Sequence, residues 1–452
     1  MTENRFSTRR VENLRQGRFE KKRERGSRMT SETQKPPRRY EKMRDSGVEW
    51  IGMVPEHWQV QKAKRFVVIT NGSDPKTEGN IPVYGSGVTS FKTCGEYKIG
   101  PAVLVGRKGS INNPRYVDGL FWNVDTAFDV KSKNESAFLT KYYFYLSVCF
   151  DYNYYSSQTT LPSMTQESYN NMFLPYPPVS VQQCLVDYLG EKCNQIDQIV
   201  ADIKASIEEY KAWKASIIYE AVTKGLDPHA EMKDSGVKWI GKIASNFSVI
   251  RLKYLMHDYK AGPFGSSLIT DKLNRTGDIL VYTPEHIARQ STKTEHDLFL
   301  PPDRLSKMSP FLVTTGDIIF PIVGSLGRAM VVTSNMPKGI INQRLAKFSP
   351  NKEIVDTNYF MWLFGRSDFY SQYIETRCRG SIIVNLTKSI VSDMPVVLPP
   401  DLQTQRRIAK YLQEKSGIID SLVKEKEALI SDLETYKKSL IYEVVTGKRE
   451  VV

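Results

Sequence analysis

Residues 182–225 read QQCLVDYLGEKCNQIDQIVADIKASIEEYKAWKASIIYEAVTKG, and residues 405–448 read QRRIAKYLQEKSGIIDSLVKEKEALISDLETYKKSLIYEVVTGK. An offset of 223 aligns Tyr188 with Tyr411, Leu189 with Leu412, Asp197 with Asp420, and the SIIYE of 216–220 with the SLIYE of 439–443. Such a recurrence sets the architecture before any local reading, because each copy is one structural unit met twice. No Gly or Pro occurs from 191 to 224 or from 418 to 446, so each copy predicts one long helix. At 1.5 Å per residue, roughly 40 residues make a rod about 60 Å long.

A heptad runs through both. In the first copy the d positions are Leu189, Ile196, Ile203, Tyr210 and Ile217, and the a positions are Cys193, Val200, Ile207, Lys214 and Ala221. In the second, d is Leu412, Ile419, Lys426, Leu433 and Leu440, and a is Ser416, Val423, Ile430, Lys437 and Val444. An apolar seam sustained over this length predicts a coiled coil. The partner expected for each helix is the other, since two isolated helices would each leave an apolar stripe in water. A pseudo-twofold relating the copies makes the pair antiparallel. Packing of each helix on its own neighbouring domain is the alternative, and Lys426 and Ser416 keep it open.

A second repeat has a different offset. MRDSGVEWIG at 43–52 returns as MKDSGVKWIG at 232–241, an offset of 189. Asp-Ser-Gly is turn chemistry, and V-x-W-I supplies apolar residues for a short docking segment. The second copy follows the first long helix and is expected to dock at its end. The first copy should then dock at the end of the second helix, closing the chain into a pseudo-circle. The offset is smaller at the front of the repeat than at its back, so two similar frames enclose dissimilar centres, the second longer than the first.

Both centres read as α/β. Short β-rich runs, Ala102-Val103-Leu104-Val105 and Asp317-Ile318-Ile319-Phe320, lead into the Gly-rich turns Gly106-Arg107-Lys108-Gly109-Ser110 and Gly324-Ser325-Leu326-Gly327-Arg328. Aromatic helices follow at 142–146 (YYFYL) and 359–363 (YFMWL). Tyrosines can stack on bases, but on a helix bracketed by Phe and Leu they read as core. Prolines at 175–178 and 399–400 end each centre before its long helix. The expected organisation is an arm (1–42), a first centre (43–178), a first spacer helix (179–226), a second centre (227–400) and a second spacer helix (401–452).

Charge narrows the partner. The net charge is +13, yet residues 1–44 hold 15 Lys/Arg against 6 Glu, so the remaining body is only mildly basic. The arm is expected to be disordered or loosely helical, adding at most a sequence-independent attraction to a polyanion. Five scattered cysteines without CxxC spacing argue against a disulfide framework or zinc site and for a reducing cytoplasm. No apolar run approaches the roughly 20 residues of a membrane span, and no signal peptide opens the chain. The sequence shows no GxxxxGK[ST], no N/D-P-P-Y and no HExxH. Tyr84-Gly85-Ser86-Gly87 is a lone GSG, too weak a pattern for a cofactor loop.

The combination of DSGVxWIG, variable centre, proline exit and a long helix ending YEAVTKG or YEVVTGK, all present twice, resembles the specificity (S) subunit of type I restriction–modification enzymes. The resemblance covers nearly everything after residue 42. MRDSGVEWIGMVPEHWQV and the turn Ala261-Gly262-Pro263-Phe264-Gly265-Ser266 are similar to recurrent features of the family's target-recognition domains; KIASNFSV after Gly241 departs by lacking Pro55-Glu56-His57-Trp58. The resemblance implies an α/β pseudo-twofold protein. Two tandem target-recognition domains, separated by the antiparallel coiled coil, would each read half of a bipartite, asymmetric site in double-stranded DNA. Two methyltransferase (M) subunits would dock on the coiled coil and methylate adenine N6 with S-adenosylmethionine. Restriction (R) subunits would join through that complex and cleave with ATP and Mg2+. The chain itself would bind no cofactor and catalyse nothing.

Bases are read by Asn or Gln at adenine and by Arg or Lys at guanine. Loop residues of those types, with neighbouring hydroxyls, are the candidates: Arg107, Lys108, Ser110, Asn112, Asn113, Arg115, Gln158, Thr159 and Thr160 in the first centre, and Arg289, Gln290, Arg328, Gln343, Arg344, Arg377 and Arg379 in the second. For any one of them a solvated loop is the competing reading. Three rival classes remain at this point: an enzyme with its own reader domains, a coiled-coil adaptor that binds protein alone, and the reader of another multi-subunit DNA methyltransferase.

Overall fold

The computed structural model describes residues 39–156, 162–263, 273–323, 328–366, 369–377 and 386–451. Two helices dominate it, Val179–Lys224 and Leu402–Val445. Each is followed by a glycine in the left-handed region, Gly225 (φ +77°) and Gly447 (φ +72°), where a residue without Cβ ends a helix at least cost. The chain divides into two compact units, residues up to Ala201 with Leu429 onwards, and Asp202–Ala428, so each unit takes part of both helices.

The first unit contains β1 (Met43–Asp45), β2 (Met53–Pro55), β3 (Gln59–Lys62), β4 (Val67–Asn71), β5 (Ile81–Tyr84), β6 (Lys92–Cys94), β7 (Lys98–Ile99), β8 (Ala102–Gly106), β9 (Arg115–Val117), β10 (Leu120–Asn123), β11 (Ala127–Ser132) and β12 (Phe173–Tyr176). One sheet has the order β4-β11-β8-β9, all antiparallel; the other is β6-β5-β10-β7, in which β5 and β10 are parallel. Strand β8 is buried along its whole length, which explains its unbroken apolar run. The helix Thr140–Val148 buries Tyr142, Tyr143 and Tyr145, so the tyrosine cluster is core. Leu189, Cys193, Ile196 and Val200 of the first long helix join this core together with Leu440, Ile441 and Val444 of the second.

The second unit contains β13 (Met232–Asp234), β14 (Lys242–Ala244), β15 (Ser248–Arg251), β16 (Met256–Ala261), β17 (Leu280–Tyr282), β18 (Ile318–Pro321), β19 (Met330–Val331), β20 (Gly339–Ile341), β21 (Leu345–Pro350) and β22 (Pro395–Leu398). Its main sheet, β16-β21-β18-β19, repeats the antiparallel order of the first, and β17 and β20 form the parallel pair. Tyr359–Leu363 are all buried in the core of this unit. The frames agree while their interiors differ. The central strand β11 carries Asp129, paired with Lys98, whereas its counterpart β21 carries Lys347, 2.9 Å from Asp317.

Both units close in the same way. In the first, the Tyr442 hydroxyl donates to the Ile51 carbonyl at 3.2 Å, and Lys448 donates to the same oxygen and to the Tyr442 hydroxyl. In the second, Tyr219 donates to the Ile240 carbonyl at 2.6 Å. Each DSGVxWIG segment thus docks on the tyrosine of a YE[AV]VT helix end, as the two offsets require. At the other end of each helix, buried Gln182 accepts from Leu139 N and donates to Ala137 O, and Gln405, its counterpart, accepts from Asp356 N and donates to Ile354 O.

Of the seam residues, Leu189, Ile196, Val200, Ile203, Ile207, Leu412, Ile419, Leu440 and Val444 are buried, and Tyr210, Ile217, Val423, Ile430 and Leu433 are half-buried. The lysines at a positions meet acids: Lys437 reaches Asp197 at 2.6 Å in the first unit, and Lys214 reaches Asp420 at 2.7 Å in the second. Lys426, at a d position, lies 5.6 Å from the centre of the Tyr210 ring, so its charge sits against an aromatic face.

Candidate DNA interface

In the first unit, β8 ends at Gly106, whose carbonyl accepts from the Tyr169 hydroxyl at 2.8 Å; a Cβ there would lie 2.6 Å from Ile111 Cα, so the turn needs glycine. The following turn is held by main-chain bonds: Arg107 N to Thr126 O at 2.8 Å, Met164 N to Arg107 O at 2.9 Å, and Gly109 N to Pro162 O at 3.0 Å. Lys108, Ser110, Asn112 and Asn113 project from it exposed, while Arg107 is half-buried and donates to Asp125 O at 3.3 Å. Arg115 faces inward. Its guanidinium stacks 4.6 Å from the centre of the Tyr84 ring and donates to Gly87 O at 2.5 Å. Gln158, Thr159 and Thr160 lie outside the described residues.

In the second unit, the helix Pro284–Arg289 follows β17, and Thr283 caps it in a reciprocal box with His286. The Thr283 N–H can only donate, so His286 Nδ1 accepts it, and Nε2–H faces Asp297 Oδ1 at 3.2 Å. Burial lowers the pKa of this imidazole against the pull of Asp297, favouring the neutral tautomer that this arrangement needs. Arg328 donates to Ala288 O at 2.9 Å, and Gln290 donates to Ile287 O and Ala329 O. Gln290 adopts a left-handed φ of +48° as the helix C-cap, so its amide donor is engaged inside the chain. Arg344 O accepts from Ile322 N, and Arg344 N donates to Asn342 Oδ1. These bonds draw Arg289, Gln290, Arg328, Gln343 and Arg344 to the same strand ends, with Arg289 paired to Glu285 at 3.0 Å. Arg377 ends the helix Ser371–Arg377 with its guanidinium 5.7 Å from the Tyr373 ring centre. Arg379, the turn 324–327 and residues 264–266 lie outside the described residues.

The two units use corresponding positions. A Cβ on Gly72 would fall 2.1 Å from Val124 O, and one on Gly262 would fall 1.8 Å from Asn342 O, so both frames bring the first strand of the main sheet hard against the turn before its central strand. The loop 85–91 also belongs to this end of the first unit, through Arg115 and through Gly109, where an added Cβ would sit 3.5 Å from Ser86 Oγ. Its lone GSG carries no motif; the useful signal in the sequence is the absence of any acid from Tyr84 to Gly95.

Basic and amide-bearing side chains thus stand at strand ends on both α/β frames. The family model for type I restriction modification DNA specificity domains matches residues 55–209 and 264–431, and the chain belongs to that family. It is therefore a non-catalytic specificity subunit whose task is DNA sequence recognition. The type I restriction enzyme MjaVIII specificity subunit of Methanocaldococcus jannaschii is 22% identical over 365 residues, covering 79% of this chain and 77% of the relative. Among solved structures, a chain described with the complex assembly and conformational transition of a type I R-M system aligns at TM-score 0.64 and 14% identity, over 87% of this chain and 98% of that one. The HsdS subunit from Thermoanaerobacter tengcongensis aligns at TM-score 0.45 and 14% identity, over 87% and 98%. Among the described residues no helix is long and apolar enough to cross a membrane, and no group of three or more His, Cys, Asp or Glu is placed to hold a metal ion.

Proposed function

We propose that each α/β centre reads one half of a bipartite, asymmetric DNA site, with Arg107, Lys108, Ser110, Asn112 and Asn113 in the first and Arg289, Arg328, Gln343 and Arg344 in the second as its contacts. Residues 43–178 and 227–400 are the two target-recognition domains. The helices between and after them run antiparallel as a coiled-coil spacer on which two M subunits dock, and R subunits join through M. Adenine N6 methylation with S-adenosylmethionine, and cleavage with ATP and Mg2+, belong to those subunits, in the cytoplasm. The carrying observation is that two units with the same closure, Tyr442 on Ile51 and Tyr219 on Ile240, present different loops at corresponding strand ends. The spacer reading is supported by the two ion pairs. Moving along the first helix from Asp197 to Lys214, the partner on the second helix moves back from Lys437 to Asp420 by the same interval.

The direct test is a methylation map of cells carrying the M subunit with and without this chain. A single interrupted motif, present only with the chain, is expected; an identical map in both strains would refute the reading.

The docking surface has a concrete expectation. Trp213 is 50% exposed on the first long helix, and Tyr436, its counterpart at the offset of 223, is 45% exposed on the second. Large aromatics left in water at equivalent positions suit two copies of one partner, and truncating such an anchor costs about 2 kcal/mol or more, roughly 30-fold in affinity. Trp213→Ala is expected to weaken one M subunit, Tyr436→Ala the other, and the double variant both, as read by native mass spectrometry. A double variant that retains two M subunits at wild-type affinity would remove these residues from the interface.

The arm makes a separate expectation. Deleting residues 1–42 removes a net charge of +8 (14 Lys/Arg against 6 Glu) lying outside both repeats. The salt dependence of DNA binding should fall while the methylated motif stays the same; a changed motif would give the arm a share in sequence choice.

A further inference from the structure

The parallel pairs β5–β10 and β17–β20 are corresponding elements: Val124 N donates to Tyr84 O at 2.9 Å in one, and Asn342 N to Tyr282 O at 3.1 Å in the other. The frames part just beyond the first strand of each pair. After Tyr282 comes the helix Pro284–Arg289; after Tyr84 comes the loop Gly85-Ser86-Gly87-Val88-Thr89-Ser90-Phe91. Yet both segments are pinned alike, by an arginine at the start of β9 or just before β19. Arg115 donates to Gly87 O, and Arg328 donates to Ala288 O. The segment after the parallel strand is therefore held by an arginine in each unit while differing entirely in what it presents.

In the first unit it presents apolar side chains. Val88 is 69% exposed and Phe91 is 59% exposed. The stretches that meet there are basic: 84–95 and 106–117 contain Lys92, Arg107, Lys108 and Arg115 and no acid. Three acids lie nearby: Glu96 and Asp118 just past their ends, and exposed Asp125 in the turn that bonds Arg107; Glu96 is already engaged, accepting from the Thr77 amide at 3.0 Å and the Thr77 hydroxyl at 2.7 Å, so four cations face two free acids. That balance favours a polyanion over an apolar protein patch as the occupant. On duplex DNA, the feature an exposed valine recognises in the major groove is the C5 methyl of thymine. Resting on the reading that the chain binds DNA, we infer that the loop 85–91 is a further base-reading element of the first half, beside the contacts of the 107–113 turn, and that Val88 meets a thymine methyl there. Arg115 then acts as a positioning residue: its stack on Tyr84 and its bond to Gly87 hold the loop tip, and its charge is turned inward.

The test uses the full chain assembled with M and the motif found by methylation mapping. Duplexes are prepared in which each thymine of the first half-site is replaced singly by uracil, which lacks only the methyl group. One replacement is expected to weaken wild-type binding about fourfold, the worth of one methyl withdrawn from water. Val88→Ala should bind the thymine and uracil duplexes equally, and thymines of the second half-site should behave alike in both proteins. The inference is overturned if no first-half uracil matters to the wild type, if Val88→Ala keeps the wild-type profile, or if the first half-site lacks thymine. Weaker M binding by Val88→Ala with no uracil effect would make the loop a protein contact and overturn it equally. Absence of any sequence-specific methylation by the wild-type complex is a different result, and it is the one that removes the DNA-reading proposal itself.

Discussion

Ile203→Asp in the full chain is expected to abolish capture of M subunits and to leave both α/β centres folded. Ile203 is buried near the middle of the first long helix, midway between the d positions Leu189 and Ile217. An unpaired carboxylate in such a place costs about 3–5 kcal/mol, a factor of roughly 10²–10⁴ in the pairing equilibrium. The ion pairs Lys214–Asp420 and Lys437–Asp197 cannot offset that loss. Their acids are largely exposed, and exposed pairs are each worth about 0–1 kcal/mol. Ile203 belongs to neither the core under Tyr142 nor that under Tyr359, although Val200 one turn away joins the first, so amide protection in β8, β11, β18 and β21 should persist. Ile203→Leu, which keeps the volume, is the control and should bind M normally. Wild-type capture of M by the Asp variant would mean that M does not depend on a paired spacer, and the coiled-coil account would go with it.

How much of the molecule is legible in the sequence differs from one element to the next. The closure is legible, because Tyr219 and Tyr442 and their acceptors Ile240 and Ile51 recur at two fixed offsets, and only a helix end meeting a DSGVxWIG turn satisfies both. The lysines at a positions are legible as polar breaks in the seam. That each meets an aspartate is also within reach, since Asp197 and Asp420 recur at the same offset. Lys426 at d is the residue that weakens the heptad, and pairing rules give no account of a charge resting on the Tyr210 ring. The strand ends are much less legible. A sequence shows that Arg115 and Gln290 have donors, but not whether the fold has already used them. Arg115 stacks on Tyr84 and holds Gly87, and Gln290 caps a helix in a left-handed conformation. The loop 85–91 escapes a local reading for the converse reason. Its place beside residues 107–113 depends on sheet order, in particular on the parallel pairing of β5 with β10, which nothing local in GSGVTSF encodes.

A fragment of residues 45–241, expressed with M, is expected to redirect methylation to an interrupted palindrome built from the first half-site alone. It contains the first centre, the first long helix and both DSGV segments. The evident obstacle is that Lys214 would have to sit in a seam made of two identical helices. The ion pairs dispose of it. Lys214 meets Asp420, whose counterpart in the first copy is Asp197, and Lys437, the counterpart of Lys214, meets Asp197. Replace the second helix by a copy of the first in the same register, and Lys214 of each chain faces Asp197 of the other, twice over. The helix end poses a second question, because Tyr219 of each copy has two segments to choose from, Ile240 of its own chain and Ile51 of its partner. The segments share V-x-W-I-G, so either choice satisfies the hydroxyl, and one segment per chain is left undocked. That surplus should lower the melting temperature relative to the full chain without preventing assembly. The resulting dimer has a true twofold axis, and a twofold protein reads a palindrome. Trp213, present once in each copy, then offers the same exposed aromatic to both M subunits. Genome-wide methylation mapping decides the matter. If the fragment dimerises and binds M, yet the modified sites keep the second half-site or show no palindrome, the two centres are not independent readers. Asp197→Lys in the fragment sharpens the test. It sets one lysine against another at both crossings and should reduce dimerisation and palindromic methylation together, while Asp197→Lys combined with Lys214→Asp restores both.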